Sequence, residues 1–327
     1  MADMISWTVI MVGILALGAA GAAALIAAGF GVLERAVEEV EPRGRFAIVG
    51  GVTLFPIFCG FLLLVIAFYP SFLDLAGMVA DHCRQHEGHT FHLCFLHFAP
   101  PSISWIWSAA AGVFVAWVGL NWSRELVAAS RANRWSKRLM RLARFDEETS
   151  SFMVESARPL ALTTGFFRRQ IVLSERLREL LSVEQLEAVL AHERTHRKRF
   201  DALTTLLLRM AACFHFPFVR RQLLRVIEVT TEQICDEAAA RKVGDPLIVA
   251  EAILAVERAS GPSGMPRGVL CFGAHCVEKR VVGLLRKDWA RPNWSMIAVV
   301  GAIVLGLGIM NLHSLHHLIE HALAGFF

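Results

Sequence analysis

Four apolar stretches, residues 5–30, 46–69, 103–122 and 294–310, are long enough as helices to cross the roughly 30 Å hydrocarbon core of a bilayer. They constrain this chain more than anything else in it, because a span in lipid must satisfy its own backbone hydrogen bonds. Of the 327 residues, 55% are hydrophobic and 19% charged, and the mean hydropathy is +0.49, which is too apolar for an ordinary soluble domain. The expectation is a mainly α, polytopic membrane protein with four transmembrane helices. The first stretch reads as a retained span: residues 1–5 hold Asp3 and neither Lys nor Arg, and the apolar run is too long for a signal-peptide core.

Orientation follows from the basic residues. Arg35, Arg43 and Arg45 lie between the first two stretches, and Arg124, Arg131, Arg134, Lys137, Arg138, Arg141 and Arg144 follow the third. The loop 70–102 carries only Arg84, and the tail after Met310 has neither Lys nor Arg. In a bacterial inner membrane this puts both termini outside and residues 123–292 in the cytoplasm. Cys213, Cys235, Cys271 and Cys276 would then be reduced, Cys59 would pack within a span, and Cys83 and Cys94 could form a disulfide in the outer loop.

The segment 123–150 interleaves Leu126, Val127, Trp135, Leu139, Leu142 and Phe145 with its basic residues, as expected of an amphipathic helix lying on an anionic leaflet. That juxtamembrane position argues against direct nucleic-acid binding. Residues 152–154 and 170–173, around Thr163-Thr164-Gly165, read as a strand pair with a turn, and an exposed edge there would suit an extended peptide.

Within the cytoplasmic segment, residues 190–201 read LAHERTHRKRFD. Ser182 and Gln185 form a capping box that starts the helix, and Leu186, Val189 and Leu190 give it a buried face. His192 and His196 are four apart, so both imidazoles can reach one tetrahedral ion, with Glu193 beside them as a base. Arg194 is unusual, because such helices commonly bury a neutral residue there. A catalytic zinc takes three protein ligands and leaves one position open. The third is expected from a second helix, 220–243, ended by Gly244 and containing EVTTEQICDEAAA. Glu232 can complete the site, Asp236 can orient an imidazole from behind, and Glu228, one turn earlier, is the rival ligand. If one zinc joins the two helices they share a side of the membrane, so the apolar segment 201–219 lies in the interface or enters and returns, with Pro217 at the bend.

The runs LSVEQLEAVLAHERTHRKRFD, FHFPFV, EQICD and VEKRVVGLL, in this order between the third and fourth spans, resemble the BlaR/MecR-type membrane metallopeptidases. The resemblance implies a gluzincin-type α+β protease domain, residues 151–292, between a three-span region, 1–122, and a final span with a short outer tail, 293–327. It implies one Zn2+ per chain held by His192, His196 and Glu232, with Glu193 as general base and Asp236 behind the ligands. The substrate would be a cytoplasmic or juxtamembrane protein or peptide, such as a transcriptional repressor. The family's best-known members continue into a penicillin-binding sensor, and only residues 311–327 follow the last span here, so β-lactam sensing is not expected. Tyr69, the single tyrosine, is at the outer end of a span. An extra oxyanion donor would therefore be His215, His275 or an arginine. Two other readings stay open: a quality-control protease similar to the HtpX type, and a catalytically silent metal-responsive receptor. A homodimer is also compatible with the sequence.

Histidines also crowd the outer side: His82, His86, His89, His92 and His97 with Cys83 and Cys94 in the loop, and His313, His316, His317 and His321 in the tail. These residue types bind copper or zinc. The tail histidines recur at helical spacing, so a metal-sensing input is one reading; no spacing among them matches a defined motif, and the other reading is polar residues of outer-surface helices with one disulfide.

Overall fold

Each long apolar run extends into a longer helix. In the computed structural model, which describes residues 2–78, 93, 103–260, 270–271, 277–286 and 288–324, these helices are α1 (Ala2–Glu38), α2 (Pro42–Leu75) and α3 (Trp105–Leu142). All three are long and apolar enough to cross a membrane. Pro42 opens α2, where its missing N–H costs nothing. Helices α1 and α2 approach closely where Gly18 faces Gly60: a Cβ added at Gly60 would lie 2.6 Å from the Leu15 carbonyl oxygen.

The helix α3 departs from expectation. The third span and the basic amphipathic segment form one unbroken helix of 38 residues, about 57 Å long. In its second half Trp135, Leu139 and Met140 cover a core of Val154, Leu160, Leu162 and Val172, while Leu126, Val127 and Leu142 stay exposed.

That sheet contains β1 (Arg144–Asp146), β2 (Ser151–Val154), β3 (Ala161–Thr164), β4 (Gln170–Ser174) and β5 (Leu270–Cys271), in the order β1-β2-β4-β3-β5. The expected strand pair is present as β2 and β4, but they run parallel, and β3 pairs antiparallel with β4. Gly165, at φ +91, closes the β3–β4 turn. The Thr163-Thr164 strand is not an edge, because β5 covers it.

Helices α4 (Glu175–Leu180), α5 (Val183–Arg199), α6 (Asp201–Ala211), α7 (Pro217–Val243), α8 (Pro246–Ser260) and α9 (Val277–Leu285) complete the domain. Leu173, Leu177, Val189, Leu190, Ile253 and Val256 form its main core. Leu208, Val219, Leu223 and Ile227 pack instead against Phe30, Val37 and Val49 of α1 and α2, so the first half of α7 belongs to the membrane bundle. Between α6 and α7 the chain makes one 3-10 turn and reverses at Pro217. There Trp122 Nε1 donates to the Met210 carbonyl at 3.1 Å and Trp117 Nε1 to the Cys213 carbonyl at 3.0 Å.

Helix α10 (Trp294–Met310) starts beside the beginning of α2, where the Glu41 N–H donates to the Ala290 carbonyl at 2.9 Å. After a 70° bend, α11 (Leu312–Ala324) meets the far end of α2, with His316 Nδ1 3.3 Å from the Ile66 carbonyl oxygen. None of the residues of α10 is buried. The result is a mainly helical protein with three to four candidate spans and a small mixed-sheet domain.

Gly60→Val should force α1 and α2 apart at a cost of about 1–3 kcal/mol. Gly51→Val, where an added Cβ meets open space, is the control. Thermal unfolding of both variants in detergent checks this, with a lowered midpoint expected for Gly60→Val alone.

Candidate active site

Helix α5 begins with the full reciprocal capping box of Ser182 and Gln185 and carries its histidines into the interior. His192 and Glu193 are 0% exposed and His196 is 1% exposed. The helix ends at Phe200, a non-glycine residue in the left-handed region at φ 57, ψ 35. This sparsely populated conformation starts α6 in a new direction and returns Asp201 to His196. Asp201 Oδ2 is 2.8 Å from His196 Nδ1, and Asp236 Oδ1 of α7 is 2.9 Å from His192 Nδ1. Each imidazole is therefore held at Nδ1 by a buried carboxylate, which leaves both Nε2 atoms facing each other at 3.0 Å. Glu232 closes the triangle, its two oxygens each 3.6 Å from one Nε2.

These separations suit a metal. Ligand atoms about 2.0–2.1 Å from a tetrahedral zinc lie about 3.3–3.4 Å apart, close to the 3.0 and 3.6 Å observed. With both Nδ1 atoms bonded to carboxylates, two Nε2 lone pairs converge, and a proton or a cation must sit between them. Cys235 also lies within 4.8 Å of ligand atoms on both histidines, and the three residues form a buried group able to hold a metal. Its Sγ, however, approaches His196 from the Nδ1 side, at 3.4 Å, where Asp201 already sits. Burial also pushes the Cys235 thiol well above its usual range. Glu232 is the better placed third group.

The electrostatics follow from burial and pairing. Burial favours neutral His192, but the hydrogen bonds that charged His192 donates to the Asp236 and Glu232 carboxylates, with their negative charge, overcome it and raise the group to about 9. Burial raises Glu193, while both histidines and the Thr163 hydrogen bond pull it down, leaving it above its ordinary value. Glu232 goes the other way, to about 2: burial raises it, but the Arg280 guanidinium and the two histidines together outweigh that burial. Glu193 Oε1 meets no hydrogen-bond donor among the described residues.

Several sequence expectations are resolved by position. Glu228 pairs with Arg209 and points away from the histidines. Arg194 leaves the site to bond the Thr149 carbonyl at 3.2 Å, which accommodates its charge at the interior of the motif. His215 Nε2 lies 3.3 Å from the Thr53 carbonyl oxygen on α2, so its described contact is with the span. His275, Cys83 and Cys94 lie outside the described residues.

Three residues escaped the sequence reading. Asp201 is one, although it stands only five places after His196. Thr163 of β3 is the second: its Oγ1 is 2.7 Å from Glu193 Oε2 and 2.9 Å from the Glu193 carbonyl oxygen. When Glu193 is ionised, the hydroxyl can donate to Oε2; when Glu193 is protonated, the acid can donate to Thr163, which turns its own proton to the carbonyl. Arg280 of α9 is the third. It is 0% exposed, with Nε 2.8 Å from Asp236 Oδ2, Nη2 2.6 Å from Asp236 Oδ1 and Nη1 3.2 Å from Glu232 Oε2. Only its sequence neighbourhood, VEKRVVGLL, hinted at it.

Arg280→Met would leave two buried carboxylates without their counter-charge, and a loss of about 3–5 kcal/mol is expected. Arg280→Lys, which keeps the charge but cannot span both carboxylates, should lose less. Thermal unfolding of the metal-loaded variants in detergent measures both.

Residues 78–282, more than half of the chain, match the family described as BlaR1 peptidase M56. No curated protein matches the chain significantly. The matched region contains the buried histidine pair of α5, set in a metal-competent cluster, and the chain has helices long enough to span a bilayer. A hydrolase of the metallopeptidase class embedded in a membrane accounts for both, and the chain belongs to the BlaR1 peptidase M56 family.

Proposed function

We propose that this protein is a zinc-dependent endopeptidase that cleaves a cytoplasmic or juxtamembrane protein in signalling or regulated processing. The observation that carries this reading is the convergence of His192 Nε2, His196 Nε2 and the Glu232 carboxylate, with Glu193 alongside. His192, His196 and Glu232 would hold the ion, and Asp236 and Asp201 would fix the two imidazoles in the ligating tautomer. When bound, zinc supplies a Lewis acid and an acidified water. Glu193 takes the proton at Oε1 and passes it to the departing amine, and its raised affinity for protons suits that exchange. Thr163 offers Oε2 a partner in both protonation states.

The basic residues near the start of α2 and along α3 support a cytoplasmic domain with both termini outside. Helix α6 and the 3-10 turn, held by Trp117 and Trp122 of α3, support a re-entrant segment, and the bent pair α10–α11, long and apolar enough together to cross a membrane, supports a fourth crossing. A site at this level would meet substrates at or near the inner membrane surface.

Newly formed protein N-termini should appear in cells carrying the wild type and vanish with Glu193→Ala. Identical termini, in a purified chain that binds no zinc, would rule out the reading. Zinc must displace the proton that His192 holds below about pH 9, so the affinity of the metal-stripped protein should rise about tenfold per pH unit and level off above that value. Chelator competition across pH 6.5–10 measures it. Thr163→Val removes a hydrogen bond that lowers the Glu193 pKa. Because the bond to the charged form is the stronger of the two, the acid limb of kcat/KM should move up by about one pH unit, read on a peptide drawn from the identified cleavage site.

A further inference from the structure

We infer that the far end of the bundle carries a second metal site, a seat for a divalent cation that accepts imidazole, such as Zn2+ or Cu2+, formed by His313 and His317 of α11. The two are four apart on one helix, and their Nε2 atoms face each other at 3.2 Å. Their rings stand 4.4 Å apart at 88°. The α5 pair has the same construction, with Nε2 atoms 3.0 Å apart and rings 4.7 Å apart at 74°.

The likeness extends to what stands behind the rings. Glu320 Oε2 is 3.3 Å from His317 Nδ1, and the Tyr69 hydroxyl is 3.3 Å from His313 Nδ1. An ionised carboxylate only accepts, so His317 carries its proton on Nδ1 and turns a lone pair from Nε2 toward His313. If the tyrosine also accepts, two lone pairs converge and a cation relieves them. If it donates, a single proton occupies the position that a cation would take. Both arrangements present two nitrogens whose directions are already set from behind, as in metal sites whose ligands are oriented by outer hydrogen bonds.

Glu320 is fixed independently of this pair. It is 6% exposed, accepts the Leu93 N–H at 3.0 Å and lies 3.3 Å from His316 Nε2. His316, His317 and Glu320 place ligand atoms within 4.8 Å of one another. A surface helix that merely solvates its histidines has no need of a buried carboxylate at their centre. The seat ties α11 to the end of α2 through Tyr69.

The test uses full-length protein in detergent, already holding one zinc equivalent, titrated with Cu2+ and followed by electron paramagnetic resonance. A copper signal coupled to two imidazole nitrogens is expected in the wild type. His313→Gln and His317→Gln should each lose one coupling and weaken copper binding at least tenfold, while keeping their zinc equivalent and unfolding midpoint. Glu320→Gln should weaken binding and keep both couplings. A wild-type signal without nitrogen coupling, or one unchanged in the His313→Gln/His317→Gln double variant, would overturn the site.

Discussion

Two carboxylates, Glu232 and Asp236, lie one helical turn apart on α7 and are almost shut off from water, and the buried guanidinium of Arg280 makes that arrangement tolerable. An unpaired buried charge is among the costliest features a fold can carry. Here the planar fork of one arginine engages both carboxylates, and the oxygens retain directions in which they can address the histidines. The consequences spread outward. Asp236 can orient His192 because Arg280 keeps it ionised, and Glu232 can face both Nε2 atoms because its charge is balanced from behind. Helix α9 must then pack tightly on α7. Gly283 is needed at that contact, since a Cβ there would come within 2.6 Å of Gln233 Nε2.

Helix α7 also joins the chemistry to the membrane. Its first half buries Val219, Leu223 and Ile227 among residues of α1 and α2, and its second half carries the carboxylates. Gln233, next to Glu232, lies 3.4 Å from Arg45 Nη1 near the start of α2 and donates to the Lys279 carbonyl at 2.9 Å on α9. The spans, the α7 carboxylates and the helix of Arg280 are thus connected within one buried cluster, and a displacement of α2 could not leave the site untouched.

Much of this was legible in the sequence because it is local. The spans follow from run length, and the start of α5 from Ser182 and Gln185. Positions four apart place His192 with His196, and Glu232 with Asp236, on shared helix faces. The same reasoning failed where a partner came from elsewhere. Nothing local shows that the 123–142 segment continues the third span without a break, or that Trp135 and Leu139 cover a sheet. Thr163 reads as an ordinary strand residue until α5 is laid against β3. Asp201 was within reach, but its role depends on the left-handed turn at Phe200, and a phenylalanine does not advertise one.

The sequence by itself determined that this chain belongs in a membrane and that two helices carry side chains of metal-ligating types, because hydrophobic run length and helical periodicity are properties of neighbouring residues. Only the tertiary structure decided that Glu232 rather than Glu228 faces the histidines, that Asp201 and Asp236 stand behind them, and that Arg280 balances the carboxylates. These choices depend on how α5, α7 and α9 cross, and burial, which sets the cost of every unpaired charge, is defined only once they have packed.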